Sequence, residues 1–350
     1  EHSIRSIFWN RCYTPYAIDR DKRIKKSLSE KGYEVITSNG SLLWEPWTIH
    51  KEDNTPYKVF TPFYRKGCLK GPAPRKPVPK PLNPQYIHPI EHYHINNHIQ
   101  DNIQQSHSLR LQQWSIGEKH ALSTFENFIK YGLSDYKEGR NFPSKKNISR
   151  LSPHLHFGEI SPHYIWDTLS SQRTDPNVDH FLSELGWREF SYTLLFHNPT
   201  MQRDNIQKKF DHFPWKTDID QLEKWQNGQT GIPFVDAGMR ELLSTGFMHN
   251  RLRMVTGSFL VKNLGIHWIH GEQWFWQHLF DANMANNCSG WQWVAGSGAD
   301  AAPYFRIFNP VAQGEKFDPE GLYTRQYVSE LDHVPLHYLF NPWENPDASQ

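Results

Sequence analysis

The sequence predicts a predominantly helical protein in which a short α/β segment precedes a larger all-helical domain. Two β-prone runs flank a charged helical run at the start, a proline-rich stretch follows, and helical periodicity dominates from Gly117 onward. With 350 residues, the chain is long enough for two domains. We place the α/β part at residues 1–62, an interdomain linker at 63–116 and the helical domain at 117–350.

The N-terminal part has the order strand, helix, strand. Residues 4–9 and 34–37 are short β-prone runs, and residues 19–31 form a charged helical run that stops before Gly32. Seven prolines between Gly71 and Pro89 exclude helix and sheet interior, so this stretch is expected to be extended. The His- and Gln-rich tract up to about residue 113 is expected to be mostly loop.

The remainder of the chain shows helical spacing of apolar residues. Val235, Met239 and Leu242 share one face of a predicted helix, and Leu252 and Val255 begin the next apolar stripe. Helices of this kind must bury their stripes against one another, which predicts an all-helical domain.

The amino-acid composition limits the classes of partner that the protein can bind. Aromatic residues make up 14% of the chain, with 14 Trp, which favours binding of flat partners. Lys and Arg number 38 against 37 acidic residues, so any nucleic-acid contact must come from a local basic cluster. The three Cys are widely spaced, and neither they nor the 20 His form a recognised metal motif, so no metal is expected. No apolar run is long enough to span a membrane and no signal peptide is visible, so we expect a cytoplasmic protein with no membrane partner.

Three motifs carry the chemical signal. Residues 281–293 read DANMANNCSGWQW, where small residues let the backbone approach a flat ring and Trp291 and Trp293 supply aromatic faces. Residues 248–254 read MHNRLRM, and residues 184–190 read ELGWREF. Together these motifs resemble the photolyase and cryptochrome family of blue-light flavoproteins over about residues 1–331.

The resemblance implies a fold and an activity. It implies a partial Rossmann-like α/β domain, whose earlier half is expected to be absent from this sequence, followed by an all-helical FAD-binding domain. Among family members the chain looks most like a class I cyclobutane pyrimidine dimer photolyase, a carbon–carbon lyase. Such an enzyme uses light to pass an electron from reduced FAD to a flipped-out dimer in DNA. UV-damaged DNA is then the partner, and we expect a monomer.

The resemblance assigns one FAD per chain to a set of polar residues. Ser152-Pro153 and Ser161-Pro162 predict two capped helix starts, and a helix N-terminus is a natural phosphate cradle. Ile148 and Asn283 depart from the family pattern, where Thr and Asp are usual. The residues that match cofactor-binding positions are Tyr136, Ser149, Arg150, Leu151, Ser152, Arg188, Asn250, Asp281, Ala282, Asn283 and Asn287.

A second set matches positions that contact DNA or the dimer. Glu184, Trp187 and Arg188 lie at helical spacing i, i+3 and i+4, so they share one face. The resemblance gives Glu184 and Asn287 catalytic roles, Glu184 at the base edge and Asn287 at the flavin, while Met254 favours the cyclobutane over the six-four substrate. The full set is Arg140, Glu184, Trp187, Arg188, Asn250, Arg251, Met254, Trp293, Arg306 and Gln313.

Three tryptophans match the electron-transfer chain of the family. Trp215, Trp268 and Trp291 are far apart in sequence, and each alone is typical of a packed core residue. The resemblance implies that they pass electrons from the surface to the flavin and so photoreduce it.

Other interpretations of the resemblance remain open. A cryptochrome-like receptor would photoreduce FAD and signal without repair, a DASH-type member would prefer single-stranded DNA, and a truncated remnant would be inactive. A second antenna chromophore, folate or deazaflavin, is also expected in some relatives.

Overall fold

The computed structural model describes residues 4–84, 110–303 and 305–346. It confirms the predicted class, because a small α/β unit precedes a helical domain. Most of the His- and Gln-rich tract lies outside the described residues. The strands are β1 Ser6–Asn10 and β2 Glu34–Ser38, and the helices are α1 Pro15–Glu30, α2 Phe60–Pro62, α3 Glu118–Tyr131, α4 Tyr136–Gly139, α5 Ser152–Phe157, α6 Pro162–Leu169, α7 Pro176–His197, α8 Ile219–Gln226, α9 Pro233–Thr245, α10 Asn250–Ser258, α11 Trp268–His278, α12 Met284–Ala295, α13 Pro310–Phe317 and α14 Leu322–Tyr327.

Two π-helical turns and several 3-10 turns complete the described elements. The π-helices are Phe63–Cys68, which continues α2, and Phe259–Asn263, which continues α10. The 3-10 turns are Leu133–Asp135, Ser170–Gln172, Lys208–His212, Ser329–Leu331, Leu336–Tyr338 and Pro342–Glu344.

The α/β unit is a two-stranded parallel sheet joined by α1. β1 pairs with β2 in the register Phe8 to Ile36. α1 begins at Pro15, earlier than the charged run alone indicated, because proline fits the first position of a helix. Phe8 and Ile36 stay 66% and 38% exposed, so one apolar face of this sheet is uncovered among the described residues.

The linker begins later than the predicted boundary at residue 63. Phe63, Tyr64 and Cys68 are buried in the π-helical turn Phe63–Cys68, which packs against α7. Their apolar side chains belong to the same core as α3 and α7. The proline-rich residues 72–81 have no helix or strand, as predicted. Trp114, at the other end of the predicted linker, donates its indole N–H to Thr245 O over 2.8 Å and so anchors that end to α9.

α7 is the central helix of the domain. Asp175 caps its N-terminus by accepting from Asn177 N, and Pro176 occupies the first turn. Thirteen of its 22 residues are buried, including the charged Glu189. A helix buried on so many sides fixes the positions of the elements that surround it.

Two apolar cores meet along α12. Ala285 and Cys288 belong to the core built around α3, α6 and α7, whereas Trp291 and Val294 belong to the core built around α9, α10 and α11. Asn283 caps α12 at its start, and Gly296 ends it with φ +90°, a left-handed conformation that favours glycine. α12 therefore borders the region between the two cores.

No helix in residues 4–84, 110–303 or 305–346 has the length and apolar character needed to cross a lipid bilayer.

Candidate functional site

A cavity of about 550 Å³ lies where the two cores meet. Its size falls within the range of about 300–1,000 Å³ that is typical of cofactor and ligand sites. Its walls come from α4, α5, α7, α10, α11 and α12. The structure brings sixteen of the sequence-predicted residues to these walls: Tyr136, Arg140, Ser149, Leu151, Ser152, Glu184, Trp187, Arg188, Asn250, Met254, Asp281, Ala282, Asn283, Asn287, Trp291 and Trp293.

Asp281 forms the centre of a charged edge. Arg253 donates to Asp281 Oδ1 and Oδ2 over 3.0 and 2.8 Å, and Ser152 donates its hydroxyl to Oδ2 over 2.6 Å. The predicted N-cap role of Ser152 is wrong, because Leu151 occupies the cap position of α5 and Ser152 is its first helical residue. The predicted cap at Ser161 is confirmed, since its side chain accepts from His163 N.

Asn283 has two structural partners. Its Oδ1 caps α12 by accepting from Asn286 N over 3.2 Å, and its Nδ2 donates to the hydroxyl of Tyr192 over 2.6 Å. An aspartate here would accept both bonds, with the tyrosine hydroxyl as one donor, so the amide satisfies the same geometry with that hydroxyl as the acceptor. Asn283, a departure from the family pattern, is therefore well placed in this fold.

Asn287 is oriented by a buried glutamate. Its Nδ2 donates to Glu272 O and Glu272 Oε1 over 2.9 and 3.0 Å. Burial raises the pKa of the Glu272 carboxyl. Because the amide nitrogen is engaged by α11, the carbonyl oxygen of Asn287 is the atom left to accept a hydrogen bond from a group in the cavity.

The wall formed by α12 suits a flat heteroaromatic ring. A Cβ at Gly290 would meet no atom within 4 Å, so the backbone there borders open cavity. The buried Ser289 hydroxyl and Trp291 indole N–H have no partner in the described part of the protein. Apolar lining beside a few unpaired polar atoms is what an isoalloxazine ring requires. These residues fit FAD.

Glu184 in α7 and Arg140, which follows α4, form an ion pair on the cavity wall. Arg140 Nη1 contacts Glu184 Oε1 and also donates to His180 Nε2 over 3.0 Å. Burial lowers the pKa of His180, which keeps the imidazole neutral and able to accept. The pair holds a carboxylate on the cavity wall, and the predicted contact of Arg140 with the DNA backbone stays a prediction.

Trp187, Met254 and Trp293 form an apolar part of the wall. All three side chains are half-buried, so part of each faces the cavity. Arg188, which follows Trp187 in α7, has its guanidinium bonded outside the cavity. Its Nη1 donates to Ser41 O over 2.6 Å and contacts Glu189 Oε1 over 3.2 Å. Its contact is thus with the α/β unit as well as with the cavity wall.

Four residues predicted to bind FAD or DNA lie off the cavity wall. Arg150, with φ +52°, places its guanidinium over the rings of Trp114 and Phe247 at 5.0 and 4.7 Å from their centroids. Arg251 lies over Phe317 and donates to Asn141 Oδ1 over 2.5 Å.

Arg306 and Gln313 are also outside the cavity. Arg306 is exposed and lies over the ring of Phe308, and Lys262 donates to its carbonyl oxygen over 2.7 Å. The side-chain oxygen of Gln313 is buried without a partner in the described part of the chain.

The predicted tryptophan chain leads away from the cavity. Trp291 lines the cavity and packs on α11, where a Cβ at Gly271 would lie 2.1 Å from its ring. Trp268, one turn earlier in α11, is fully buried. His267 stands between Trp268 and Trp215, with ring centroids 5.4 and 4.9 Å away. Trp215 is half-buried, and the electron-transfer role of the three indoles stays a prediction.

The sequence analysis matched neither Arg253 nor Glu272 to a cofactor-binding position. Arg253 belongs to the RLR run of the second motif, and its helical spacing from Asn250 could have revealed that both face one side. Nothing local marks Glu272, because it meets Asn287 only when α11 packs on α12. Among the described residues, no group of three or more His, Cys, Asp or Glu could hold a metal ion.

Family models match both parts of the chain. Residues 181–350 match the FAD binding domain of DNA photolyase, and residues 1–82 match the DNA photolyase model. A deoxyribodipyrimidine photo-lyase of Agrobacterium fabrum is 43% identical over 346 residues, which are 97% of this chain and 72% of that protein. Cryptochrome-2 of Arabidopsis thaliana is 35% identical over 97% of this chain and 58% of its own length.

Solved structures agree with this result. A class III photolyase from Agrobacterium tumefaciens superposes with a TM-score of 0.86 and 41% identity, over 98% of this chain and 72% of that one. An archaeal photolyase from Sulfolobus tokodaii, described with two FAD molecules, gives a TM-score of 0.80 and 30% identity over 98% of this chain and 74% of that one. The chain is a flavoprotein of photolyase architecture. It belongs to the DNA photolyase and cryptochrome family. The predicted family and the FAD cofactor are confirmed, whereas the class I subdivision and the roles of single residues stay predictions.

Proposed function

We propose that this protein repairs cyclobutane pyrimidine dimers in UV-damaged DNA with the energy of light. One observation supports the proposal above all: the same cavity is lined by the polar residues expected to bind FAD and by the apolar residues expected to contact the dimer. The polar residues are Asp281 and Asn287, and the apolar residues are Trp187, Met254 and Trp293. A dimer and a flavin bound there would be in contact. Reduced FAD, when bound, supplies the light-driven electron, and the protein supplies binding, orientation and electrostatics.

The aromatic wall is suited to receive a base that has left the helix. A damaged, poorly paired dimer costs less to flip out than a normal base pair, and stacking on an indole returns part of that cost. We assign this stacking role to Trp187. Met254 pads the same wall, in keeping with a cyclobutane substrate.

Glu184 supplies the polar contact to the base edge. Its Oε1 is held by Arg140, so Oε2 can accept from a base N–H. The ion pair fixes the carboxylate before substrate arrives, which reduces the ordering cost of binding.

Asp281 and Asn287 orient the cofactor. Arg253 and Ser152 hold the Asp281 carboxylate, and Glu272 fixes the Asn287 amide so that its carbonyl oxygen accepts. A bound flavin would be bordered by Trp291, and Trp268 and Trp215 would connect it to the surface. We assign photoreduction of the flavin to these three indoles.

The first test is light-dependent repair by the purified, chemically reduced protein. We expect recovery of thymine absorbance when UV-damaged oligothymidylate is illuminated with blue light, and none in the dark. Trp187→Ala should weaken damaged-DNA binding about tenfold, because base stacking on an aromatic side chain contributes about 1–3 kcal/mol. FAD content should stay unchanged.

Trp276→Ala is the matched control, since Trp276 is exposed and outside the cavity. It should bind and repair like the unmodified protein. Normal FAD content and photoreduction without any repair would contradict the proposal and favour a cryptochrome-like receptor. Absence of FAD would favour an inactive remnant.

A further inference from the structure

One face of Trp187 is already covered by another aromatic ring. Phe60 stacks on the indole with a centroid separation of 3.8 Å and an interplanar angle of 12°. Phe60 lies in α2, more than a hundred residues before Trp187 in the chain, and its side chain is buried. The indole is half-buried and lines the cavity, so Phe60 confines the face available to a ligand to the cavity side.

Phe60 is itself held from two directions. Tyr64 stacks nearly parallel to it, with a centroid separation of 5.5 Å and an angle of 9°. Tyr64 can pack closely against α7 because residue 186 is glycine, where a Cβ would lie 2.5 Å from its ring. Three rings, Tyr64, Phe60 and Trp187, therefore form one continuous stack that starts in the core and ends at the cavity.

The backbone of Phe60 is hydrogen-bonded to the loop that follows α12. Its N–H donates to Asp300 Oδ2 over 2.9 Å, across 240 positions of sequence. Asp300 lies in the loop after α12 and has φ +49°, a left-handed conformation that aspartate and asparagine adopt more readily than other non-glycine residues. The contact therefore links the segment after α12 to the middle ring of the aromatic stack.

We propose that Phe60 is a positioning residue for substrate: it fixes the plane of Trp187 before a damaged base arrives, and Asp300 fixes Phe60. The inference rests on the proposed role of Trp187 in stacking on the dimer. An indole without this support would have to be ordered at the moment of binding, and ordering one large side chain weakens binding about two- to tenfold. Phe60 should thus act on substrate affinity rather than on the light-driven step.

A purely structural role for Phe60 gives a different expectation. Phe60 is part of the apolar core, and loss of packing alone would lower stability and FAD content without acting on substrate selectively. Phe60→Leu removes the flat ring but keeps an apolar side chain of similar bulk. Phe60→Tyr keeps the flat ring and serves as the rescuing variant.

Asp300 offers a second route that leaves the ring stack chemically intact. Asp300→Gly removes the acceptor for Phe60 N–H while relieving the left-handed backbone. Asp300→Asn keeps an acceptor oxygen, and asparagine tolerates the same conformation. This pair keeps the inference testable if Phe60→Leu fails to fold.

The experiment combines kinetics with a direct view of Trp187. With chemically reduced protein and UV-damaged oligothymidylate, KM and the repair rate at saturation are measured beside FAD content for each variant. In protein labelled with 5-fluorotryptophan, the ¹⁹F resonance of Trp187 is identified by its loss in Trp187→Phe. Its shift reports the ring stacked on it, in the absence of DNA.

We expect Phe60→Leu and Asp300→Gly to raise KM about two- to tenfold, with an unchanged saturated rate and FAD content. Both should move the Trp187 resonance, while Phe60→Tyr and Asp300→Asn should leave KM and the resonance near those of the unmodified protein. An unchanged KM in both Phe60→Leu and Asp300→Gly would overturn the inference about Phe60 but not the proposed repair function. So would a raised KM with an unmoved resonance, since Trp187 would not be the mediator. If the unmodified protein does not repair, the proposed function fails and the substrate role of Phe60 fails with it.

Discussion

At the scale of single residues, Trp268 has two roles: it packs in the core, and it is the middle member of the proposed electron-transfer chain. Trp268 is fully buried, and its indole N–H donates to Asn205 Oδ1 over 2.9 Å. Asn205 is buried too and donates to Asp211 Oδ1 over 2.8 Å. The same bond that satisfies a core tryptophan also fixes the middle member of the proposed electron chain, so the two roles can be separated only by experiment.

Trp268→Phe should block photoreduction but spare repair by chemically reduced protein. Phenylalanine is much harder to oxidise than tryptophan, and it leaves Asn205 Oδ1 without its donor. We expect a stability loss of about 1–3 kcal/mol from the unpaired buried oxygen. Flavin absorbance under illumination, repair after chemical reduction and urea unfolding would measure these three effects. Trp276→Phe, at an exposed indole, is the control. Equal loss of photoreduction and repair would indicate a packing role for Trp268 alone.

At the scale of elements, the packing of α11 on α12 shapes the cavity. Gly271 and Gly290 lie on these two helices and differ in their surroundings. A Cβ at Gly271 would lie 2.1 Å from Trp291, whereas a Cβ at Gly290 would meet nothing within 4 Å. Gly271 is therefore required by helix–helix contact, and Gly290 leaves room for a group that enters the cavity.

Substitution of these glycines by alanine should have opposite effects. Gly271→Ala overpacks the interface and should destabilise the protein by about 1–3 kcal/mol. Gly290→Ala should leave the FAD-free protein as stable as before or up to about 1 kcal/mol more stable, because alanine favours helix over glycine. Its methyl group should nonetheless reduce FAD occupancy. Unfolding of FAD-free protein and FAD per chain are the two measurements. Undiminished FAD in Gly290→Ala would show that the ring does not lie along this part of α12.

At the scale of the whole molecule, Glu189 joins the α/β unit to the helical domain. It is almost completely buried in α7, and its Oε2 accepts from Trp44 N over 3.1 Å. Its Oε1 contacts Arg188, which in turn donates to Ser41 O. Burial raises the pKa of the Glu189 carboxyl to about 7. An ionisable group thus stands at the contact between the two parts of the chain.

The raised pKa predicts a loss of stability between pH 4.5 and about 7. Below pH 4.5 the carboxyl is protonated in both folded and unfolded states. As pH rises, the unfolded chain releases its proton first, so the folded state loses up to about 3 kcal/mol relative to a variant that cannot ionise. Glu189→Gln keeps an acceptor for Trp44 N, and we expect its advantage in urea unfolding to grow over this window.

Glu138→Gln, at an exposed glutamate, is the control for removing one carboxyl. The difference in unfolding free energy between Glu138→Gln and the unmodified protein should not grow in the same way as pH rises. A constant difference between Glu189→Gln and the unmodified protein from pH 4.5 to 8 would contradict the assignment of the pH dependence to Glu189.

Local sequence patterns were enough to predict the class of fold and most of the residues that line the cavity. Helical periodicity located α9 and α10, the prolines marked the extended stretch, and the three motifs supplied eleven of the sixteen predicted residues that line the cavity. Local patterns suffice for these features because periodicity, capping and backbone restriction act between residues close in the chain. The start of the linker was placed too early because Phe63–Cys68 is buried by α7, a contact with no local signal.

The pairing of the site residues, by contrast, depends on how the helices pack in three dimensions. Ser152 meets Asp281 across 129 positions, where the sequence had predicted a helix cap. Phe60 supports Trp187, and the side chain of Arg150 contacts Trp114 rather than the cavity. Each of these contacts depends on how helices distant in sequence pack together. Hydrophobic periodicity specifies which face of a helix is buried, but not which partner covers it.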